Sequence, residues 1–103
     1  VVVLASPLYY WNLSGQLRTP IDRLFALEEH DGNLLRGHGR GSVLLMTAEG
    51  HGFDDVLTYY NHLCEHLSWA NLGHVLAGGT HSGPVTADSA KCAEASQLGA
   101  SMA

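Results

Sequence analysis

One grammar, used three times, limits what this chain can become: a short apolar run, a turn rich in Gly, Ser or Pro, then a stretch with helical periodicity. Such a series reads as consecutive βα units. The first run covers residues 1–5, and Ser14 stands as N-cap of a helix with Leu17, Ile21, Leu24 and Phe25 on one face. Pro20 removes one backbone hydrogen bond from that helix and is expected to bend it. The second run, 42–46, leads through 47–52 into the clearest stripe of the chain: Phe53, Val56, Leu57, Tyr60, Leu63, Cys64 and Leu67. A third run, 72–77, passes through the turn 78–84 to a last helix expected from about Thr86 to near Gly99. The long connection 28–41 is polar and Gly-rich, with Leu34 and Leu35 its hydrophobic pair, and reads as a surface loop.

Strands as continuously apolar as 1–5 and 43–46 suit a parallel sheet covered by helices on both faces, an α/β sandwich. With 103 residues, 46% of them hydrophobic and 15% charged, one core is the ceiling. A net charge of -5 with only five scattered Lys and Arg offers no basic patch for nucleic acid or anionic lipid. Neither is expected as a partner. Cys64 and Cys92 stand far apart, which excludes a disulfide framework and a CxxC motif and fits a reducing cytoplasm. The apolar opening is too short for a membrane span and lacks a basic leader. A start inside an apolar run, without Met, leads us to expect that residues 1–103 are the C-terminal part of a single domain.

Right-handed crossovers bring all three post-strand loops to the carboxyl edge of such a sheet, where ligands bind. The first, 6–14, places Tyr9, Tyr10 and Trp11 in a row and exceeds the usual strand-to-helix turn of about 2–6 residues. The second, Thr47-Ala48-Glu49-Gly50-His51-Gly52, has glycines that let backbone N–H groups approach a ligand. A flat face with backbone donors suits a tricyclic ring. The loop 78–84 reads equally as a third ligand loop or a subunit contact. His62 and His66 have metal-ligand spacing on a helix but lack further ligands, so they read as a solvated or subunit-facing stripe and no metal site is expected. Cys64 reads as core, and Trp69 as packing or a dimer contact.

The strings Ala5-Ser6-Pro7-Leu8-Tyr9-Tyr10-Trp11, Leu13-Ser14-Gly15-Gln16-Leu17-Arg18 and Ile21-Asp22-Arg23-Leu24 resemble the NADPH-dependent FMN reductases of the flavodoxin-like superfamily, including the iron-sulfur flavoprotein relatives. Trp69 before Gly73 and the closing Ala-rich helix with Leu98-Gly99 extend the resemblance over essentially the whole chain. It implies a flavodoxin-like three-layer sandwich with strand order 2-1-3-4-5, of which these are strands 3, 4 and 5. The N-terminal strands and the phosphate-binding loop would lie upstream, as another apolar strand and a Ser/Thr/Gly loop. By position, Pro7, Leu8, Tyr9, Tyr10, Trp11 and Asn12 would line the FMN ring, and Ala48, Glu49 and Gly50 would meet its pyrimidine end or the second substrate. Arg18 replaces the usual Lys, and Pro20 departs from the pattern. Asp22 and Arg23 are expected in a structural salt bridge or helix-end contact.

The implied activity is electron transfer from NADPH or NADH through FMN to a quinone-like or other small-molecule acceptor, in a homodimer or homotetramer. The flavin would carry the chemistry, so no catalytic side chain is expected beyond a role for His51 near reduced flavin. Two rivals stand beside this: a flavodoxin-type electron carrier, and a fragment unable to bind flavin alone, with strand 1–5 as an exposed edge.

Overall fold

The computed structural model describes residues 1–102. Strand β1 (Val2–Pro7) is followed by helix α1 (Gly15–His30), β2 (Gly41–Thr47), α2 (Asp54–Leu67), β3 (Ala70–Ala77) and α3 (Ser89–Ser101). The strands form one parallel sheet in the order β1-β2-β3, with Leu4 opposite Leu44 and Leu44 opposite His74. This is the open α/β sheet expected, consistent with part of a flavodoxin-like fold.

The apolar runs become strands because β2 is central. Ser42, Val43 and Leu44 are each at most 1% exposed, as a strand paired on both edges and covered on both faces must be. Along β1, Leu4 and Ser6 are buried while Val3 and Ala5 are exposed, so the pleat assigns alternate residues to opposite faces. Leu4, Leu44 and Met46 pack with Phe53, Val56, Tyr60 and Cys64 of the α2 stripe, and Leu17 and Ile21 of α1 add to this core. The helix α3 lies on the other face, where Lys91, Cys92 and Ala95 look toward Leu45, Val75 and Ala77 across a hollow of about 420 Å³. In β3 the pairing slips between Ser42 and Leu44, so Leu72 and Gly73 oppose one residue of β2. Gly73 takes φ +125° there, a bulge conformation that a side chain resists.

Several expectations are corrected. Helix α1 runs three residues into the supposed loop, to His30, and Gly32–Leu34 forms a 3-10 turn. Phe25 is 64% exposed and does not share the buried face. The expected place of Pro20 inside the helix is unchanged, and α1 continues past it. The last helix starts at Ser89, later than the expected Thr86, because Asp88 caps it, its carboxylate accepting from the Lys91 N–H at 3.0 Å. Asp22 and Arg23 form no ion pair among the described residues; the neighbouring Arg18 lies 5.7 Å over the Tyr59 ring instead. Trp69 is packed, its indole N–H donating to the Leu35 carbonyl at 2.7 Å.

Candidate functional site

The loop after β1 is closed at its base by one buried hydroxyl. Ser6 Oγ accepts from the Ser14 N–H at 2.8 Å and donates to the Pro7 carbonyl at 2.7 Å, tying the strand end to the helix start. Ser14 then caps α1 through Leu17 N–H, as its position before the apolar stripe implied. Above this tie, Tyr9 and Asn12 exchange backbone hydrogen bonds of 3.0 and 3.1 Å. Tyr10 and Trp11 form the tip between them, with φ of 47° and 64°. Two left-handed residues in a two-residue turn make the mirror-image hairpin turn that usually carries Asn-Gly. Side chains there cost roughly 1–2 kcal/mol per residue, and strain of this kind gathers at ligand sites.

The loop after β2 faces this tip. Leu8, Tyr10 and Trp11 from the first loop and Ala48, Glu49, Gly50 and Gly52 from the second line an open cleft of about 320 Å³. Gly52 lies beside the indole: a Cβ on it would come within 4.0 Å of Trp11 Cδ1, an ordinary van der Waals contact. Six of the nine expected ring contacts therefore meet here. Pro7 does not, since it lines the hollow on the α3 face of the sheet. Tyr9 is exposed beside the tip, and the Asn12 amide oxygen is held by the Leu13 N–H at 2.8 Å. The His51 ring is turned against Gly78 and Gly79 and is not part of the lining.

The loop after β3 is built onto the second loop. Thr80 donates to the Ala48 carbonyl through both its N–H, at 3.1 Å, and its hydroxyl, at 3.0 Å. His81 Nδ1 lies 2.8 Å from the Glu49 carbonyl, and Gly79 N–H donates to the Gly50 carbonyl at 3.2 Å. Sequence reasoning left this loop undecided and missed Ser6 and His81, because their work is done on backbone atoms that carry no residue-type signal.

The groups with displaced pKa values lie away from the cleft. Burial pushes the Tyr60 phenol up to about 12, aided by Cys64 and opposed by Ser42. Ser42 is near enough to act on it yet forms no hydrogen bond, and both hydroxyls are buried without a partner. Tyr59 is raised by burial and by Asp22 against the pull of Arg18. Burial tends to raise the Glu28 carboxyl, but Arg36 at 3.0 Å and His66 at 2.8 Å together hold it below its ordinary value. His66 thus has a structural partner, while His62 is exposed, as a solvated stripe requires.

The cleft therefore offers aromatic side chains and Gly-containing loop backbone, a chemistry of binding and orientation. No family model and no solved structure matches the chain. Among curated proteins it is similar to the iron-sulfur flavoprotein of Archaeoglobus fulgidus, with 31% identity over 102 residues that cover 99% of this chain and 44% of the relative. The chain thus spans less than half the length of the relative it matches. Similarity along the whole chain, with the open parallel sheet, supports a flavoprotein family of flavodoxin-like fold.

Proposed function

We propose that this chain supplies the ring-holding half of an FMN site in a NAD(P)H-dependent oxidoreductase that passes electrons to a quinone-like or other small acceptor. The observation that carries it is the cleft itself, with Tyr10 and Trp11 on one side and the loop 48–52 on the other. The residues fit the ring: the exposed aromatic side chains offer it a face, and a Cβ on Gly50 would meet nothing within 4 Å, so flat groups can approach the backbone closely. The phosphate is assigned to sequence beyond these 103 residues, which the greater length of the relative allows. Cytoplasmic location and a homodimer or homotetramer belong to the same proposal. Among the described residues no helix is long and apolar enough to cross a membrane.

The cluster named in the relative is a different matter. Iron-sulfur clusters are typically held by four thiolates, whereas Cys64 is buried in the core, Cys92 lies exposed on α3, and no metal-holding group of His, Cys, Asp or Glu occurs among the described residues. These residues do not fit a cluster.

When bound, the flavin supplies hydride acceptance and electron release. The protein has to orient it. One of the two tilted rings, Tyr10 or Trp11, would give the flavin face a stacking partner, and the glycines of the second loop would set the depth of its edge. The Glu49 carboxylate at the rim disfavours a second anion there.

The test is direct: the full polypeptide is titrated with FMN, followed by flavin fluorescence, and then mixed with NADPH or NADH without a partner reductase. Quenching and rapid nicotinamide oxidation are expected. Flavin binding without oxidation would favour the electron carrier, and no binding would remove the flavin reading.

A further inference from the structure

The loop after β3 decides which way the second loop presents its backbone. In a planar trans peptide the N–H points opposite to the preceding C=O, and the chain has no cis bond among its described residues. Because the Ala48 carbonyl faces Thr80, the Glu49 N–H is turned away from Thr80. The Glu49 carbonyl on His81 does the same for the Gly50 N–H, and the Gly50 carbonyl on Gly79 does it for the His51 N–H. None of these three N–H groups donates to another described residue. Glu49 and Gly50 line the cleft and residues 78–82 do not, so the N–H groups of these two residues are turned away from the third loop and stay unpartnered on a segment that borders the cleft.

We infer that His81, with Thr80, is a positioning residue that holds the second loop as a donor-only rail for a ligand edge rich in acceptors, here the carbonyl-bearing pyrimidine end of the flavin. This rests on the proposed function and assigns it a residue outside the cleft. A carbonyl only accepts, so the His81 ring carries its proton on Nδ1 in this contact. Gly78 makes the approach possible, since a Cβ there would collide with the Gly50 carbonyl oxygen and the His51 ring. Without the clamp, the freed carbonyls are able to rotate toward the cleft and put acceptors against acceptors.

The experiment compares His81→Ala with His81→Asn in the full polypeptide, measuring FMN affinity by fluorescence and the reduction potential of the bound flavin. The Asn amide offers an N–H close to where Nδ1 stood. His81→Ala should weaken FMN binding roughly five- to tenfold and make the potential more negative, because the rail favours the more electron-rich reduced ring. His81→Asn should restore affinity to within about twofold and recover the potential. Wild-type affinity and potential in His81→Ala overturn the clamp and leave the flavin reading standing, as does equal damage from Ala and Asn, which marks a packing role. Wild-type protein that binds no FMN overturns both. If His81→Ala does not fold, Thr80→Val carries the test: it removes the hydroxyl bond to Ala48 and should weaken FMN binding about threefold, and unchanged affinity would sink the clamp.

Discussion

Tyr10 and Trp11 hold conformations that their own side chains oppose. The turn would be easier with Asn-Gly, so the double variant Tyr10→Asn, Trp11→Gly should stabilise the fold by about 1–3 kcal/mol in thermal denaturation while FMN affinity falls. A variant no more stable than wild type would show that the turn stores no strain. Tyr60 is the second residue with a clear consequence. Its phenol is raised to about 12, so the folded state keeps a proton that the unfolded chain releases near its ordinary value of 10. Stability from this source is therefore intact below about pH 10 and is lost as pH rises from 10 toward 12, by up to about 3 kcal/mol. Tyr60→Phe should flatten that alkaline limb in denaturant titrations and, since it removes an unpartnered buried hydroxyl, cost under about 1 kcal/mol at neutral pH. An alkaline limb unchanged in Tyr60→Phe would clear Tyr60 of it. At this scale the sequence was uneven to read. An aromatic triplet after Ser-Pro announces a site, but which rings enter the cleft depends on φ angles at the tip, and Tyr9 differs from Tyr10 in nothing that composition records.

Helices α1 and α2 were legible from their stripes, since burial of Val56, Tyr60, Cys64 and Leu67 follows helical spacing alone. Where α1 ends was not. Its last turn is held by tertiary partners: Glu28 meets Arg36 from the connection before β2 and His66 from α2, and no local pattern encodes a contact spanning that much sequence. Phe25 faces outward for a related reason. The covered stripe is Leu17, Ile21, Leu24 and Glu28, and Phe25 stands one residue round the helix from it. The Glu28 cluster also fixes how the α1–α2 pair responds to acid. Its carboxyl is held below the ordinary 4.5, so its contribution to stability is present above that value and is lost as pH falls through the lower, folded value. Glu28→Gln should make the acid limb of the stability curve shallower, measured by circular dichroism across pH 2–6, and should lower stability at neutral pH by the same amount, since that contribution is present there in wild type. An acid limb as steep as that of wild type would place the sensitivity elsewhere.

The whole molecule is a slab more than a ball. Its radius of gyration is 14.5 Å and its extents are 46 × 32 × 19 Å, whereas a compact chain of about 100 residues has a radius near 13 Å. The parallel sheet and its helices were readable in advance because a strand-turn-helix grammar leaves few alternatives. The clamp of the third loop on the second was not, because it joins backbone atoms across two connections. One consequence of the slab concerns its β1 side. That strand is an edge, Val1 and Val3 are 68% and 48% exposed, and α3 lies over β3 and not over them. An exposed apolar edge templates pairing with another chain, and a lysine on it is the usual deterrent. For the 103-residue chain, self-association through β1 should therefore appear in sedimentation velocity at micromolar concentration and weaken in Val3→Lys. The substitution removes little buried area, so the unfolding midpoint at low concentration should stay within about 0.5 kcal/mol of wild type. Association as strong in Val3→Lys as in the parent would mean that copies meet elsewhere, with the exposed aromatic tip at Tyr10 and Trp11 the next surface to test by the same measurement.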